Sequence, residues 1–171
     1  MTQDRWAPAA VGLGSNIDDP KQQLATAFTE IAELPGCRLL AASPLYRSKP
    51  MGPSNQPDFI NAAATLITTL SPEELLARLR KIEDSHSRDR SVERWGPRSL
   101  DLDLLLYAHR VIDTPKLAVP HAGIAERNFV LLPLADIAPA WVVPGQGSVR
   151  HLLRSLEDPT AGIEILGHSV A

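Results

Sequence analysis

The fold of this chain is organised around one stretch, WGPRSLDLDLLLY, at residues 95–107. Apolar residues dominate from Leu100 to Tyr107, so we predict the central strand at 99–107. Side chains alternate between the two faces of a strand, and four leucines should therefore share one face: Leu100, Leu102, Leu104 and Leu106. Asp101 and Asp103 are then expected on the other face, roughly 6.6 Å apart along the strand.

The two aspartates are candidate ligands for Mg²⁺. Carboxylates this close repel each other unless a cation lies between them. Mg²⁺ favours a few carboxylates plus substrate phosphates over an all-protein cage. Just upstream, Trp95 offers an aromatic face and Arg98 a guanidinium suited to phosphate. The structural alternative is an edge strand with two exposed aspartates, and the neighbouring basic residues favour the metal site.

Composition and charge limit the function classes. A chain of 171 residues fits one domain, and we expect a core at about 9–140 with an extension at about 141–171. The net charge of −3 argues against a general nucleic-acid binder. Cys37 is the single cysteine, so an intramolecular disulfide is excluded. The N-terminus has no apolar signal core and no apolar run is long enough to span a membrane, which predicts a cytoplasmic protein.

The predicted elements follow the order strand, helix, strand, strand, helix, strand. Their expected bounds are strands at 9–13, 37–46, 58–70 and 99–107, with helices at 20–34 and from residue 72 onward. This βαββαβ order is the ferredoxin-like arrangement, so we predict an α+β sandwich with a mainly antiparallel sheet and helices packed on it. A hairpin near residue 111 and C-terminal extra helices at 128–137 and 148–157 should follow.

Two helix starts carry capping signals. Asp18 or Asp19 can cap the first helix ahead of Pro20. Ser71 and Glu74 form the pattern of a capping box at the start of the second helix.

The run GLGSN at residues 12–16 follows the first strand but fails the dinucleotide fingerprint, because Ile17 stands where a glycine is needed. We therefore expect Gly12 and Gly14 to form a tight strand-to-helix turn. Asn16 can point its amide into a pocket.

The proline-rich loop at 46–57 precedes a strand in which Phe59 and Asn61 should face the same way. An aromatic ring beside a side-chain amide suits a flat heterocycle that forms hydrogen bonds. The alternative is a core phenylalanine and a turn-capping asparagine.

Positive charge is concentrated just before the aspartate pair. Residues 78–98 contain seven basic and four acidic residues, a net charge of +3. A solvated helix face accounts for Arg78 and Lys81, whereas the later arginines favour a polyanionic ligand such as a nucleoside triphosphate. Further along, His121 is a candidate phosphate ligand or proton donor, with a purely structural histidine as the alternative. Arg127 at a helix start hints at a nearby anion.

Four runs together resemble the 6-hydroxymethyl-7,8-dihydropterin pyrophosphokinase family of folate biosynthesis. They are VGLGSN at 11–16, GPSNQPDFIN at 52–61, RWGPRSLDLD at 94–103 and VPH at 119–121. The resemblance covers roughly the first 140 residues. It implies that ATP gives its terminal diphosphate to the pterin hydroxymethyl group and leaves as AMP. It also implies a monomer that acts on these two small molecules, with no nucleic-acid or membrane partner.

The resemblance also implies roles for individual residues. Asp101 and Asp103 would bind two Mg²⁺ ions and, with Arg88 and Arg98, form the catalytic set. The ATP-binding positions are Glu83, Arg88, Arg90, Trp95, Arg98, Lys116, His121 and Arg127. The pterin-binding positions are Ser48, Lys49, Met51, Gly52, Phe59, Asn61, Trp95, Asp101 and Phe129, with the two phenylalanines stacking on opposite faces of the pterin. Departures from the family pattern are Phe59 for tyrosine, and Arg80, Ala118 and Ala122.

Two hypotheses from other classes stay open on the residues alone. A nucleotidyl- or glycosyl-transferase can use the same aspartate pair for its metal. A non-catalytic ferredoxin-like module can bind RNA through a basic loop, but it should carry a basic overall charge. The acidic chain and the aromatic residues beside the carboxylates favour the pterin enzyme.

Overall fold

The computed structural model of the chain describes residues 5–52, 55–86 and 99–168. Four residues expected in the site therefore lie outside the described residues: Arg88, Arg90, Trp95 and Arg98.

The main sheet is antiparallel throughout. Five of its strands are β1 (Ala7–Ser15), β2 (Cys37–Ala42), β3 (Leu45–Ser48), β4 (Phe59–Thr68) and β5 (Asp101–Tyr107). The sixth is β10 (Ile163–Gly167), which follows four short strands, β6 to β9, described below. The spatial order is β10-β3-β4-β1-β5, with β2 also paired to β4. The aspartate-bearing strand β5 thus lies at one end of the described sheet, and the expectation of a central strand was wrong.

The strand predicted at 37–46 is two strands, because Ser43 and Pro44 interrupt it. Proline has no N–H to donate to a ladder. Ser43 keeps the chain beside β4: its N–H donates to the Ala63 carbonyl at 2.9 Å, and its hydroxyl accepts from the Ala63 N–H at 2.8 Å. The chain therefore bends without leaving β4, and β3 continues along the same edge.

Two hydrophobic clusters cover the two faces of the sheet. Helices α1 (Pro20–Ala32) and α2 (Pro72–Ser85) contribute to the first cluster, in which Phe28 and Leu79 join alternate residues of β1, β4 and β5. Helices α3 (Asn128–Ile137) and α4 (Val149–Ser155) contribute to the second, which contains the intervening residues Ala10 and Ala63. The sheet is therefore buried between two helical pairs.

The two capping predictions had different outcomes. The capping box of α2 is confirmed: the Ser71 hydroxyl accepts from the Glu74 N–H at 3.1 Å, and the Glu74 carboxylate accepts from the Ser71 N–H at 2.9 Å. Asp19 occupies the N-cap position of α1, but its backbone is left-handed (φ 62°) and its side chain makes no capping hydrogen bond. Asp18 instead accepts a hydrogen bond from the Ser99 hydroxyl at 2.6 Å, so the predicted aspartate cap was wrong.

A β-bulge changes the expected faces of β5. Ala10 pairs with Leu106 and Val11 pairs with Leu104, which leaves Leu105 as an extra residue. Leu102 and Leu104 pack in the first cluster as predicted, whereas Leu105 and Leu106 both pack in the second. The prediction that Leu106 shares the face of Leu104 was therefore wrong.

The C-terminal part contains the two predicted helices and several strands. Helix α3 has the predicted bounds. Two short hairpins pair β6 (Ile112–Asp113) with β7 (Ala118–Val119) and β8 (Val142–Val143) with β9 (Gly147–Ser148). Strand β10 was not predicted; it extends the main sheet beside β3, where Arg47 and Glu164 form an ion pair at 2.9 Å. Among the described residues, no helix combines the length and apolarity needed to cross a membrane.

Candidate active site

A cleft forms where four antiparallel strands bring their ends together. Because β1 runs antiparallel to both neighbours, its last residues lie beside the first residues of β4 and β5: Gly14 pairs with Asn61 on one side and with Asp101 on the other. The first turn of α3, with Phe129, forms the opposite wall. The cleft together with the open solvent at its mouth measures about 770 Å³.

The floor of the cleft is made by two glycines that were expected in a turn. Gly12 and Gly14 instead lie inside β1, opposite Asp103 and Asp101. A Cβ at Gly14 would lie 3.5 Å from Asn61 Oδ1 and 3.7 Å from a ring carbon of Phe59. The glycine at this position therefore leaves open the space above Phe59 and Asn61. The period-two spacing of the glycines could have revealed this, since every second residue of β1 faces the cleft.

The aspartate pair lies on this floor, and both side chains line the cleft. Asp103 is 41% exposed at its side chain, with its Oδ1 3.9 Å from His121 Nε2. Among the described residues, no group of three or more His, Cys, Asp and Glu side chains is arranged to hold a metal. Two carboxylates open to solvent fit Mg²⁺, which completes its coordination with water and substrate phosphates.

Arg127 lines the cleft near the aspartates, and His121, which does not line it, approaches Asp103 from behind its edge. The Gly123 N–H donates to His121 Nδ1 at 3.1 Å, so the neutral ring carries its proton on Nε2, the atom that faces Asp103. Burial lowers the pKa of His121, the positive charge of Arg127 lowers it further, and Asp101 partly opposes both. The neutral imidazole is therefore favoured. Arg127 is the N-cap residue of α3 and lines the cleft.

The other end of the cleft carries the expected pterin residues. Asn61 donates from Nδ2 to the Ser48 hydroxyl at 2.7 Å, and both residues are buried, which fixes the orientation of the amide. Phe59 and Asn61 share one face, as their spacing predicted, and Phe129 approaches from α3. Lys49 and the 54% exposed Met51 also line the cleft.

Three further expected residues, like His121, do not line the cleft. Glu83 is 1% exposed on α2, and its carboxylate accepts a hydrogen bond from the Leu102 N–H at 2.9 Å, so it holds the backbone of β5. Lys116 is exposed between β6 and β7, and Gly52 lies in the loop after Met51. Contact of these three residues with a substrate stays a prediction.

The side-chain amide of Asn16, a candidate for a pocket in the sequence, forms hydrogen bonds to the loop that precedes β4. Its Nδ2 donates to Gln56 Oε1 and to the Pro57 carbonyl, both at 2.9 Å. Asn16 is 2% exposed and Gln56 8%. The end of β1 is thereby tied to the segment that leads into Phe59.

Comparison with known proteins identifies the family. The sequence matches the family model for 7,8-dihydro-6-hydroxymethylpterin-pyrophosphokinase (HPPK) over residues 10–139. A 2-amino-4-hydroxy-6-hydroxymethyldihydropteridine pyrophosphokinase from Pseudomonas aeruginosa is 46% identical over 156 residues, which are 91% of this chain and 94% of the relative. The enzyme of the same name from Haemophilus influenzae is 41% identical over 150 residues, which are 88% and 93% of the two chains.

A solved structure supports the same fold. The crystal structure of wild-type Plasmodium falciparum HPPK-DHPS with pterin and p-hydroxybenzoate has a TM-score of 0.68 at 15% identity. The match covers 89% of this chain and 43% of that one, so this chain spans less than half of the solved protein. The family match and the two relatives confirm the resemblance seen in the sequence motifs, and the chain belongs to the HPPK family of pyrophosphokinase enzymes in folate biosynthesis.

Proposed function

We propose that this chain transfers the terminal diphosphate of ATP to the hydroxymethyl group of 6-hydroxymethyl-7,8-dihydropterin. One observation carries the proposal: Asp101 lies on the same cleft floor as Asn61, because both residues pair with Gly14. A carboxylate pair suited to bind metal and phosphate thus lies directly beside an aromatic and amide surface suited to a flat heterocycle.

The reaction would be an in-line displacement at the β-phosphorus of ATP. The hydroxyl oxygen of the pterin forms the new bond, the bond between the β-phosphorus and its bridging oxygen to the α-phosphorus breaks, and AMP leaves with that oxygen. The hydroxyl proton is released to water. Asp101 and Asp103 would hold two Mg²⁺ ions, which supply charge neutralisation at the triphosphate when bound.

The protein contributes mainly by positioning the two substrates. Phe59 and Phe129 would stack on opposite faces of the pterin ring, and the fixed amide of Asn61 would select its hydrogen-bonding edge. His121 and Arg127 would bind the phosphates of ATP at the aspartate end of the cleft. Further ATP contacts are proposed for the four residues outside the described part of the chain, Arg88, Arg90, Trp95 and Arg98.

We further propose that the fold is the ferredoxin-like βαββαβ arrangement, within one domain that acts as a cytoplasmic monomer. The strand order supports this fold assignment: β4 and β1 are central, β5 flanks β1, and β2 and β3 flank β4. Helices α1 and α2 also share one face of the sheet. Helices α3 and α4 on the other face would then be an addition to the core arrangement.

The experiment is product identification by ³¹P NMR with ATP, Mg²⁺ and reduced 6-hydroxymethylpterin. The proposal predicts AMP together with a pterin diphosphate, formed only when both Mg²⁺ and the pterin are present. Formation of ADP with a pterin monophosphate would instead indicate transfer of a single phosphoryl group. AMP release without pterin would indicate hydrolysis, and either result contradicts the proposal.

A further inference from the structure

Gly123 is buried beside His121, to which its N–H donates, and beside Arg127, which lines the cleft. An ideal Cβ on Gly123 would lie 2.5 Å from both Cζ and Nε of Arg127, and 3.0 Å from its Cδ. Contacts under 3.0 Å are essentially never seen for real Cβ atoms. The guanidinium of Arg127 therefore occupies the space that any side chain at position 123 would take.

The crowding involves the end of a side chain and not the backbone. Gly123 has no left-handed φ, so an alanine there adds no backbone strain. The guanidinium of Arg127 is the flexible end of a long side chain and can move away at little cost in folding free energy. A side chain at 123 should thus change where Arg127 lies and leave the stability of the fold nearly unchanged.

The position of this guanidinium matters because of its neighbours. Arg127 lines the cleft with Asp101 and Asp103, and its positive charge acts on His121. The backbone N–H of Gly123 also fixes the His121 ring at 3.1 Å. One residue without a side chain therefore contacts both of these basic groups.

We propose that Gly123 is a positioning residue for triphosphate binding. Because it has no side chain, it leaves open the space in which the Arg127 guanidinium lies. This inference rests on the proposed function, in which His121 and Arg127 bind the phosphates of ATP. Gly123→Ala keeps the hydrogen bond from the backbone N–H of residue 123 to His121 and changes only the space available to Arg127.

The test measures binding of α,β-methylene ATP in the presence of Mg²⁺, since this analogue replaces the bond that diphosphate transfer breaks. Gly123→Ala should weaken binding about tenfold, the effect of displacing one charge-assisted contact. Its affinity for the pterin and its melting temperature should stay close to those of the wild type. In kinetics, the KM for ATP should rise while the KM for the pterin does not.

A double-mutant cycle separates displacement of Arg127 from general damage. Arg127→Ala should weaken analogue binding alone, and Gly123→Ala should add no further loss in that background, because the clashing group is gone. Gly14→Ala provides the matched comparison, since it adds the same methyl group at the pterin end and should affect the pterin only.

Three results would overturn the inference. The first is an unchanged affinity of Gly123→Ala for the ATP analogue. The second is an equal loss of analogue affinity on Gly123→Ala substitution in the wild type and in Arg127→Ala. The third is a parallel loss of affinity for both substrates together with a lowered melting temperature. AMP formation by the wild type, measured in parallel, reports on the proposed function separately. A wild type that makes AMP with an unaffected Gly123→Ala variant overturns this inference alone, whereas a wild type that binds no nucleotide overturns both.

Discussion

The hydroxyl of Tyr46 donates a hydrogen bond to the carboxylate of Asp136, which joins β3 to α3. Tyr46 pairs with Asn61 across the sheet and therefore faces the same side as the cleft floor. Asp136 lies two turns along α3 from Phe129, the residue on the opposite wall. The bond thus connects the two walls between which the pterin is proposed to bind.

Tyr46→Phe should therefore loosen the wall that carries Phe129. We expect the free energy of unfolding to fall by about 1 kcal/mol, because one hydrogen bond is missing. The pterin Kd should rise several-fold, which corresponds to a loss of binding free energy of roughly the same size. Tyr107→Phe is the matched control, because the hydroxyl of that buried tyrosine donates to the Leu70 carbonyl, away from the cleft. Equal pterin affinities in the two variants, measured by fluorescence titration, would contradict the prediction.

The raised pKa values of Tyr46 and Tyr107 predict a loss of stability in alkaline solution. Burial raises the pKa of Tyr46, and the hydrogen bond and charge of Asp136 raise it further; burial also raises the pKa of Tyr107. Their stabilising effect is fully present below the unfolded-state pKa of about 10 and is lost as the pH rises through the folded-state values. Urea unfolding should show stability falling above about pH 10, with a smaller slope in Tyr46→Phe. An identical slope in wild type and variant would contradict this assignment.

Gly14→Ala should act on the pterin end of the cleft. The added methyl group meets Asn61 and Phe59 at ordinary contact distances of 3.5 and 3.7 Å, so we expect little change in melting temperature. It occupies space above both residues, and the pterin Kd should rise about tenfold while binding of the ATP analogue is unchanged. Unchanged pterin binding in a calorimetric titration would indicate that the ring lies elsewhere.

Asn16→Ala should release the loop that leads into Phe59. The variant loses a buried hydrogen bond to Gln56 and a partly buried one to the Pro57 carbonyl, and we expect about 2 kcal/mol of destabilisation. Pterin affinity should fall as well, since Phe59 follows this loop. Gln22→Ala is the control, because the side chain of Gln22 makes an exposed hydrogen bond to Thr26 on the same helix. If both variants melt at the wild-type temperature, Asn16 does not anchor the loop.

The sequence predicted the features that depend on residues close together in the chain. Ser71 and Glu74 are three residues apart, and their capping box is present as predicted. The shared face of Phe59 and Asn61 follows from the alternation of one strand. Likewise, the side chains of Asp101 and Asp103 both line one cleft, as the strand pattern indicated.

Features that depend on distant pairing were not predicted. The bulge at Leu105 exists only in register with β1, about 95 residues earlier in the chain. Strand β10 is defined by its pairing with β3, and Asn16 finds Gln56 across a separation of 40 residues. Gly12 and Gly14 looked like turn residues because their place in a long strand depends on both neighbouring strands.

The role of Asp101 in diphosphate transfer is tested by comparing AMP formation by the wild type, Asp101→Ala and Asp113→Ala with ATP, Mg²⁺ and reduced 6-hydroxymethylpterin. Asp113 is an exposed aspartate on β6 and serves as the matched control. We expect pterin-dependent AMP formation by the wild type and Asp113→Ala, and a loss of at least a hundredfold in Asp101→Ala, whose carboxylate lies where the metal and both substrates would meet. Wild-type activity in Asp101→Ala, or a wild type that forms no AMP, would contradict this expectation.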